Sequence, residues 1–187
     1  MIRSILLAGA AVLACSPCFG DNLSSSGGRY AIAPSSRIAF TVDQVGGGGI
    51  AGRFLGFSGI FVIDPAHLSR SLVSFTLQPG SVETAQPRIT SFLRSSAVFD
   101  VDQYPSITFR STKVTQTGPR SATVEGVLAA RGIIHGEIFN VALMQHDGRR
   151  IVFHVTGDVL RSRYDMSVGT PIYSNVVRFD MTMQGLK

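Results

Sequence analysis

Tryptophan is missing from this 187-residue chain, and cysteine and lysine occur twice each. Charged residues make up only 16% against 44% hydrophobic, which excludes an intrinsically disordered chain. The 20 glycines follow no collagen-like period. The formal charge is +5, but no three basic residues run together, and this scatter argues against a nucleic-acid partner. Of the 17 basic residues 15 are arginine, whose planar fork suits carboxylate or phosphate. Long apolar runs are scarce too. The single clear one, residues 5–14, is too short to span a bilayer, so a polytopic membrane protein is excluded.

That run follows Met1-Ile2-Arg3 and precedes Ser16, Pro17 and Gly20, the pattern of a secretory signal peptide over residues 1–20. Cleavage after Gly20 would remove both Cys15 and Cys18 and leave no thiol. A competing reading takes Val12-Leu13-Ala14-Cys15 as a lipoprotein box, with Cys15 the lipidated first residue. Residues 21–28 then read as a flexible Ser/Gly linker, and residues 29–187 as one domain. That length buries a full core without disulfides.

Beyond the linker the hydrophobic period is two. Ile38, Phe40 and Val42 alternate with more polar neighbours, as do Val73, Phe75 and Leu77. Ile107 with Phe109, Ile151 with Phe153 and Val155, and Val177 with Phe179 and Met181 repeat the pattern. Each block presents one apolar and one mostly polar face, the signature of antiparallel strands. Turn signals separate them at Asp64-Pro65, Pro79-Gly80, Tyr104-Pro105, Gly118-Pro119, Asp147-Gly148 and Gly169-Thr170-Pro171. Residues 87–95 break the rhythm, with Ile89, Phe92 and Leu93 at helical spacing behind Pro87. The expectation is an all-β domain of eight or nine strands, an antiparallel barrel with one short amphipathic helix.

Chemistry-bearing motifs are thin. Gly47-Gly48-Gly49-Ile50-Ala51-Gly52 matches G-x-G-x-x-G, but a strand pattern follows it where a dinucleotide site needs a helix. His67, His135, His146 and His154 form no ligand cluster, and no nucleophile elbow occurs. No metal site, cofactor or catalytic constellation is therefore expected. Seven glycines within residues 46–59 read either as a sharply coiled corner or as a corner beside a cavity, with Phe54, Phe57 and Phe61 as apolar wall.

Several segments resemble the YceI-like family. Phe92-Leu93-Arg94-Ser95, Phe99-Asp100-Val101 and the block Tyr104-Pro105-Ser106-Ile107-Thr108-Phe109-Arg110-Ser111 follow that family's central signature. Gly52-Arg53-Phe54, Phe57-Ser58-Gly59, Ile63-Asp64-Pro65, Ser81-Val82-Glu83-Thr84 and the stretch from Leu160 to Met166 resemble its flanking motifs. Ala33-Pro34-Ser35-Ser36 lacks the acid and histidine usual there, and Asp165 replaces a glycine. The resemblance implies a lipocalin-like barrel in an exported, periplasmic protein. Its apolar cavity would hold a polyisoprenoid or another long-chain, fatty-acid-like amphiphile, and a homodimer is compatible with it.

The expected cavity wall is Phe40, Val42, Phe54, Phe57, Phe61, Phe75, Phe92, Leu93, Phe99, Phe109 and Phe153. The helix would cap or gate the mouth, or else plug one end permanently. Arg94 and Arg110 are candidates for a polar head group, or for surface ion pairs with Asp100 or Asp102. Enclosing ~15 methylenes yields roughly 12 kcal/mol gross, against an association cost of about 4–15 kcal/mol. Two other functions remain open: an enzyme acting on such a lipid, and an interaction module whose barrel is filled by its own side chains.

Overall fold

The computed structural model describes residues 22–187. The proposed signal peptide, its cleavage site, Cys15 and Cys18 lie outside the described residues. Eleven strand segments and one helix follow the chain: β1 (Gly28–Ile32), β2 (Arg37–Asp43), β3 (Gly49–Phe54), β4 (Phe57–Ile63), β5 (Leu72–Leu77), β6 (Val82–Thr84), α1 (Pro87–Arg94), β7 (Ile107–Gly118), β8 (Ser121–Ala130), β9 (Ile133–His146), β10 (Arg150–Leu160) and β11 (Val176–Leu186). Every pairing among them is antiparallel. Among the described residues no helix is long and apolar enough to cross a membrane.

The eleven segments make an eight-strand closed barrel, because three strands are interrupted. β11 pairs with β2 through Arg178–Thr182 and with β1 through Gly185 and Leu186, so β1 and β2 act as one broken strand. β4 and β3 are its broken neighbour, pairing with β1 and β2 respectively, and β5 and β6 follow in the same way. The ring then runs through β7, β8, β9 and β10 back to β11. Pro34 sits in the first interruption and cannot donate to a ladder. Ser36 substitutes there, its Oγ accepting from the Gln184 N–H at 2.9 Å. At the second, the Ser81 hydroxyl accepts from Leu55 N–H (3.2 Å) and Gly56 N–H (2.8 Å). Side-chain oxygens thus satisfy backbone donors where the chain turns a corner.

Two covers complete the barrel. At the upper end α1 is fastened to β6 by Arg94, which donates to the Val82 carbonyl at 2.8 Å. Residues 161–175 lie at the same end. At the lower end, residues 22–28 are tied down despite their linker-like composition. Asn22 and Ser25 cap each other, Leu23 N–H donates to the Pro119 carbonyl at 3.0 Å, and Leu23 is only 5% exposed. One apolar residue reaching the core and one reciprocal cap order a stretch that composition marks as loose.

β7 is bonded to β5 only along Ile107–Arg110. Beyond that point the Ser111 Oγ accepts from Val73 N–H at 2.9 Å, and a 3₁₀ turn at Leu68–Arg70 packs over the remaining gap.

Asp165 explains one departure from the family pattern. It stands at φ 56°, ψ 37°, in the left-handed region where glycine costs nothing and an Asp is tolerated. Asp165→Gly is expected to keep urea-unfolding stability within ~1 kcal/mol, whereas Asp165→Val loses about 1–2 kcal/mol. Equal midpoints for the two variants would contradict this account.

Candidate ligand cavity

Alternation of side chains along β2, β5 and β7 to β11 sends one apolar residue in two toward the barrel axis. Six phenylalanine rings form a continuous belt on the inner wall. Phe99, Phe54, Phe40, Phe179, Phe139 and Phe109 follow one another with centroids 5.2–6.4 Å apart. Such tilted and edge-on contacts are favourable beyond simple burial. Phe61 and Phe153 make a separate edge-on pair at 5.6 Å nearer the lower end. Glycines make room for these rings: a Cβ at Gly126 would stand 2.5 Å from the Arg110 carbonyl oxygen and 2.7 Å from Phe109 Cε2.

The rings do not fill the interior. They surround a cavity of about 240 Å³ whose wall is almost wholly apolar. It runs from Leu23, Leu68 and Leu72 at the lower end to Leu93, Val98 and Met166 at the upper end.

Nine of the eleven wall positions expected from sequence line this cavity: Phe40, Val42, Phe54, Phe61, Phe75, Leu93, Phe99, Phe109 and Phe153. Phe57 and Phe92 do not. Phe57 stacks on Phe75 at 6.4 Å and packs at the margin of the core. Phe92 is 42% exposed, because consecutive residues on a helix point about 100° apart and Leu93 takes the inward position. The helix therefore contributes Leu93 to the wall and leaves Phe92 in solvent.

Arg94 is occupied in bracing α1, and Arg110 points outward from β7 into solvent, neither of them on the wall. No ion pair joins either to Asp100 or Asp102 among the described residues. Asp100 instead turns the chain, its carbonyl accepting from Gln103 and Tyr104 N–H. The G-x-G-x-x-G run forms the β2–β3 turn and enters strand β3, as its sequence context predicts.

Sequence reasoning did not pick out Arg161, the charged side chain on the cavity wall. It is 9% exposed, and its donors are spent on one loop. Nε donates to Ser174 O (2.8 Å), Nη1 to the Met166 and Val168 carbonyls, and Nη2 to Thr170 Oγ1 (2.8 Å) and Tyr173 O (3.1 Å). Burial lowers its pKa somewhat, yet an arginine stays charged. Among the described residues carbonyl dipoles, and no carboxylate, balance that charge. The segment from Leu160 to Met166 that carries the family resemblance contains it, which is the signal available beforehand.

Beside it, Tyr164 donates to Glu137 Oε1 at 2.8 Å, and Arg163 Nη1 approaches the same oxygen at 3.1 Å. Burial, and then the hydrogen bond to Glu137, push the Tyr164 phenol far above its usual range. It therefore stays a protonated donor. The stability it contributes is complete below about pH 10, the free phenol value, and is lost as pH rises beyond it.

A closed antiparallel barrel around an almost wholly apolar cavity defines a lipocalin-like fold. The YceI-like domain model matches residues 30–184, and the chain belongs to that family. It is 26% identical to a UPF0312 protein of Ectopseudomonas mendocina over 84% of this chain and 87% of that protein. With a UPF0312 protein of Vibrio campbellii it shares 27% identity over the full length of both.

Among solved structures, it superposes on Burkholderia cenocepacia BcnA with a TM-score of 0.76 and 21% identity, covering 82% of this chain and 98% of that one. A polyisoprenoid binding domain from Saccharophagus degradans, implicated in plant cell wall breakdown, matches with a TM-score of 0.69 and 15% identity. That match covers 84% of this chain and 97% of the other. Both likenesses establish the fold.

Replacing Arg161 by Met strands the carbonyls of residues 166–174 and is expected to cost about 3 kcal/mol or more. Arg161→Lys does not restore the bonds, having three donors and no fork. Hydrogen exchange should show protection lost first over residues 165–175. Uniform loss across the barrel would refute a local clamp.

Proposed function

We propose that this protein is a non-catalytic carrier that encloses the chain of a polyisoprenoid or a similar long amphiphile while it crosses an aqueous compartment. The observation that carries this reading is the 240 Å³ apolar space left open inside the ring belt. A barrel serving only as an interaction module has no need of it. The polyisoprenoid binding named for the Saccharophagus degradans domain supports the same choice of ligand. Export of the chain to the periplasm, through residues 1–20, agrees with such a role and belongs to this proposal.

Volume refines the sequence-based energetics. An apolar cavity of ~150 Å³ accommodates benzene's six carbons, so the present one has room for about nine or ten. Burying ten carbons yields roughly 8 kcal/mol gross, within the range that association itself costs. A fifteen-carbon chain must therefore reach past one of the covers, or displace wall side chains, to gain useful affinity. Short alkyl ligands bind weakly.

Native mass spectrometry of the protein purified from an exporting host should show a copurifying chain, or uptake of a fluorescent long-chain fatty acid after organic extraction. Val141 and Val155 face each other across β9 and β10 on the cavity wall. The pair Val141→Phe with Val155→Phe fills the space and should weaken uptake at least tenfold with little change in Tm. Absence of both cargo and uptake in the parent protein would rule out the carrier reading. Turnover of a bound chain would instead favour an enzyme.

A further inference from the structure

The scatter of charge along the sequence disappears once the chain is folded. Arg29, Arg70, Arg120, Arg149, Arg150 and Lys187 all gather at the lower end of the barrel. Arg29 starts β1 and Lys187 follows β11, the strand on which β1 closes the ring. Lys187 N–H donates to the Arg149 carbonyl, and its Nζ lies 5.0 Å from the centre of the Tyr30 ring. Arg120 reaches across to the Leu143 and Met144 carbonyls, and Arg70 closes the turn that covers the gap beside β7.

Among the described residues only two acidic side chains share this end, Asp64 and Asp147, and both are engaged locally. Asp64 Oδ1 accepts from Ala66 and His67 N–H, and Asp147 Oδ1 from Arg149 and Arg150 N–H. None of the six cations forms an ion pair among the described residues. Arg150 also has no acceptor for its buried Nε–H there. Elsewhere in the described chain ten basic residues face nine acidic ones, so nearly the whole excess charge sits at this end.

Apolar side chains are interleaved with these cations. Met144 is 57% and Leu186 46% exposed. Leu23 and Leu68, from the two short turns covering this end, are on the cavity wall. Residues 1–21 join the described chain here as well. We infer that the lower end of the barrel is a docking face for an anionic lipid bilayer, through which cargo is exchanged. Arginines and a lysine meet the head groups while Met144 and Leu186 enter the interface.

A nucleic acid fits less well. Among the described residues the face is a ring of turns, with no helix or ribbon to enter a groove and no exposed aromatic platform for bases. The inference deepens the carrier reading, but vesicle binding is read without cargo, so the two can fail separately.

The test is flotation of the protein with vesicles of phosphatidylglycerol and phosphatidylcholine, against vesicles of phosphatidylcholine alone. Binding is expected to the anionic vesicles only and to fall as salt rises. Arg29→Gln, Arg149→Gln and Lys187→Gln together should weaken it by roughly fivefold per cation, about a hundredfold in all. The control triple Arg53→Gln, Arg88→Gln and Lys113→Gln carries the same net charge and should bind within about twofold of the parent, the three cations lying away from the face. No flotation at low salt, equal loss in both triples, or tighter binding to a DNA duplex than to vesicles would each overturn the proposal.

Discussion

The architecture depends on β11 pairing with two segments at once on one of its sides. With β10 it forms an unbroken ladder from Val176 to Leu186, and its other edge is shared between β2 and β1. Without the β1 pairing the sheet would remain open, and without the β2 pairing β11 would present a bare edge along Arg178–Thr182. Closing the ring there forces the corner across residues 33–36, 55–56 and 78–81, where serine hydroxyls replace ladder bonds. The corner in turn diverts β6 and α1 away from β7, which gives the upper end its lid. Closure, corner and lid are consequences of one strand's pairing.

Much of the fold is legible in the sequence because the barrel has one wet face and one dry one. The blocks at Ile38, Val73, Ile107, Ile151 and Val177 fall within β2, β5, β7, β10 and β11, and the helix occupies Pro87–Arg94. The β8–β9 hairpin turn gives no comparable signal. Its two residues, Arg131 and Gly132, both have positive φ, and arginine is a poor residue for that conformation. Tertiary contacts hold it there: Arg131 donates to the Ser96 and Val98 carbonyls and lies 6.0 Å from the Tyr104 ring centre. Periodicity also located most of the cavity wall. It failed at Phe57 and Phe92, where the period says which face a residue shares but not where the cavity stops.

Arg161 shows the limit from another side. Composition suggested that arginine forks await carboxylate or phosphate, and Arg94 and Arg110 were the obvious positions. The buried guanidinium is instead satisfied by backbone carbonyls and a threonine hydroxyl, partners that carry no sequence signature. In the same way the charge asymmetry between the barrel ends is invisible along the chain. It arises because turns distant in sequence converge where strands of similar length finish.

The half-bonded strand β7 has a mechanical meaning. From Ser111 onward its outer edge is held to its neighbour by a side-chain oxygen and a packed 3₁₀ turn rather than by a ladder. Separating the two there breaks no run of backbone hydrogen bonds. Along that stretch the girth of the barrel is therefore set by side-chain contacts, which can yield without unzipping a ladder.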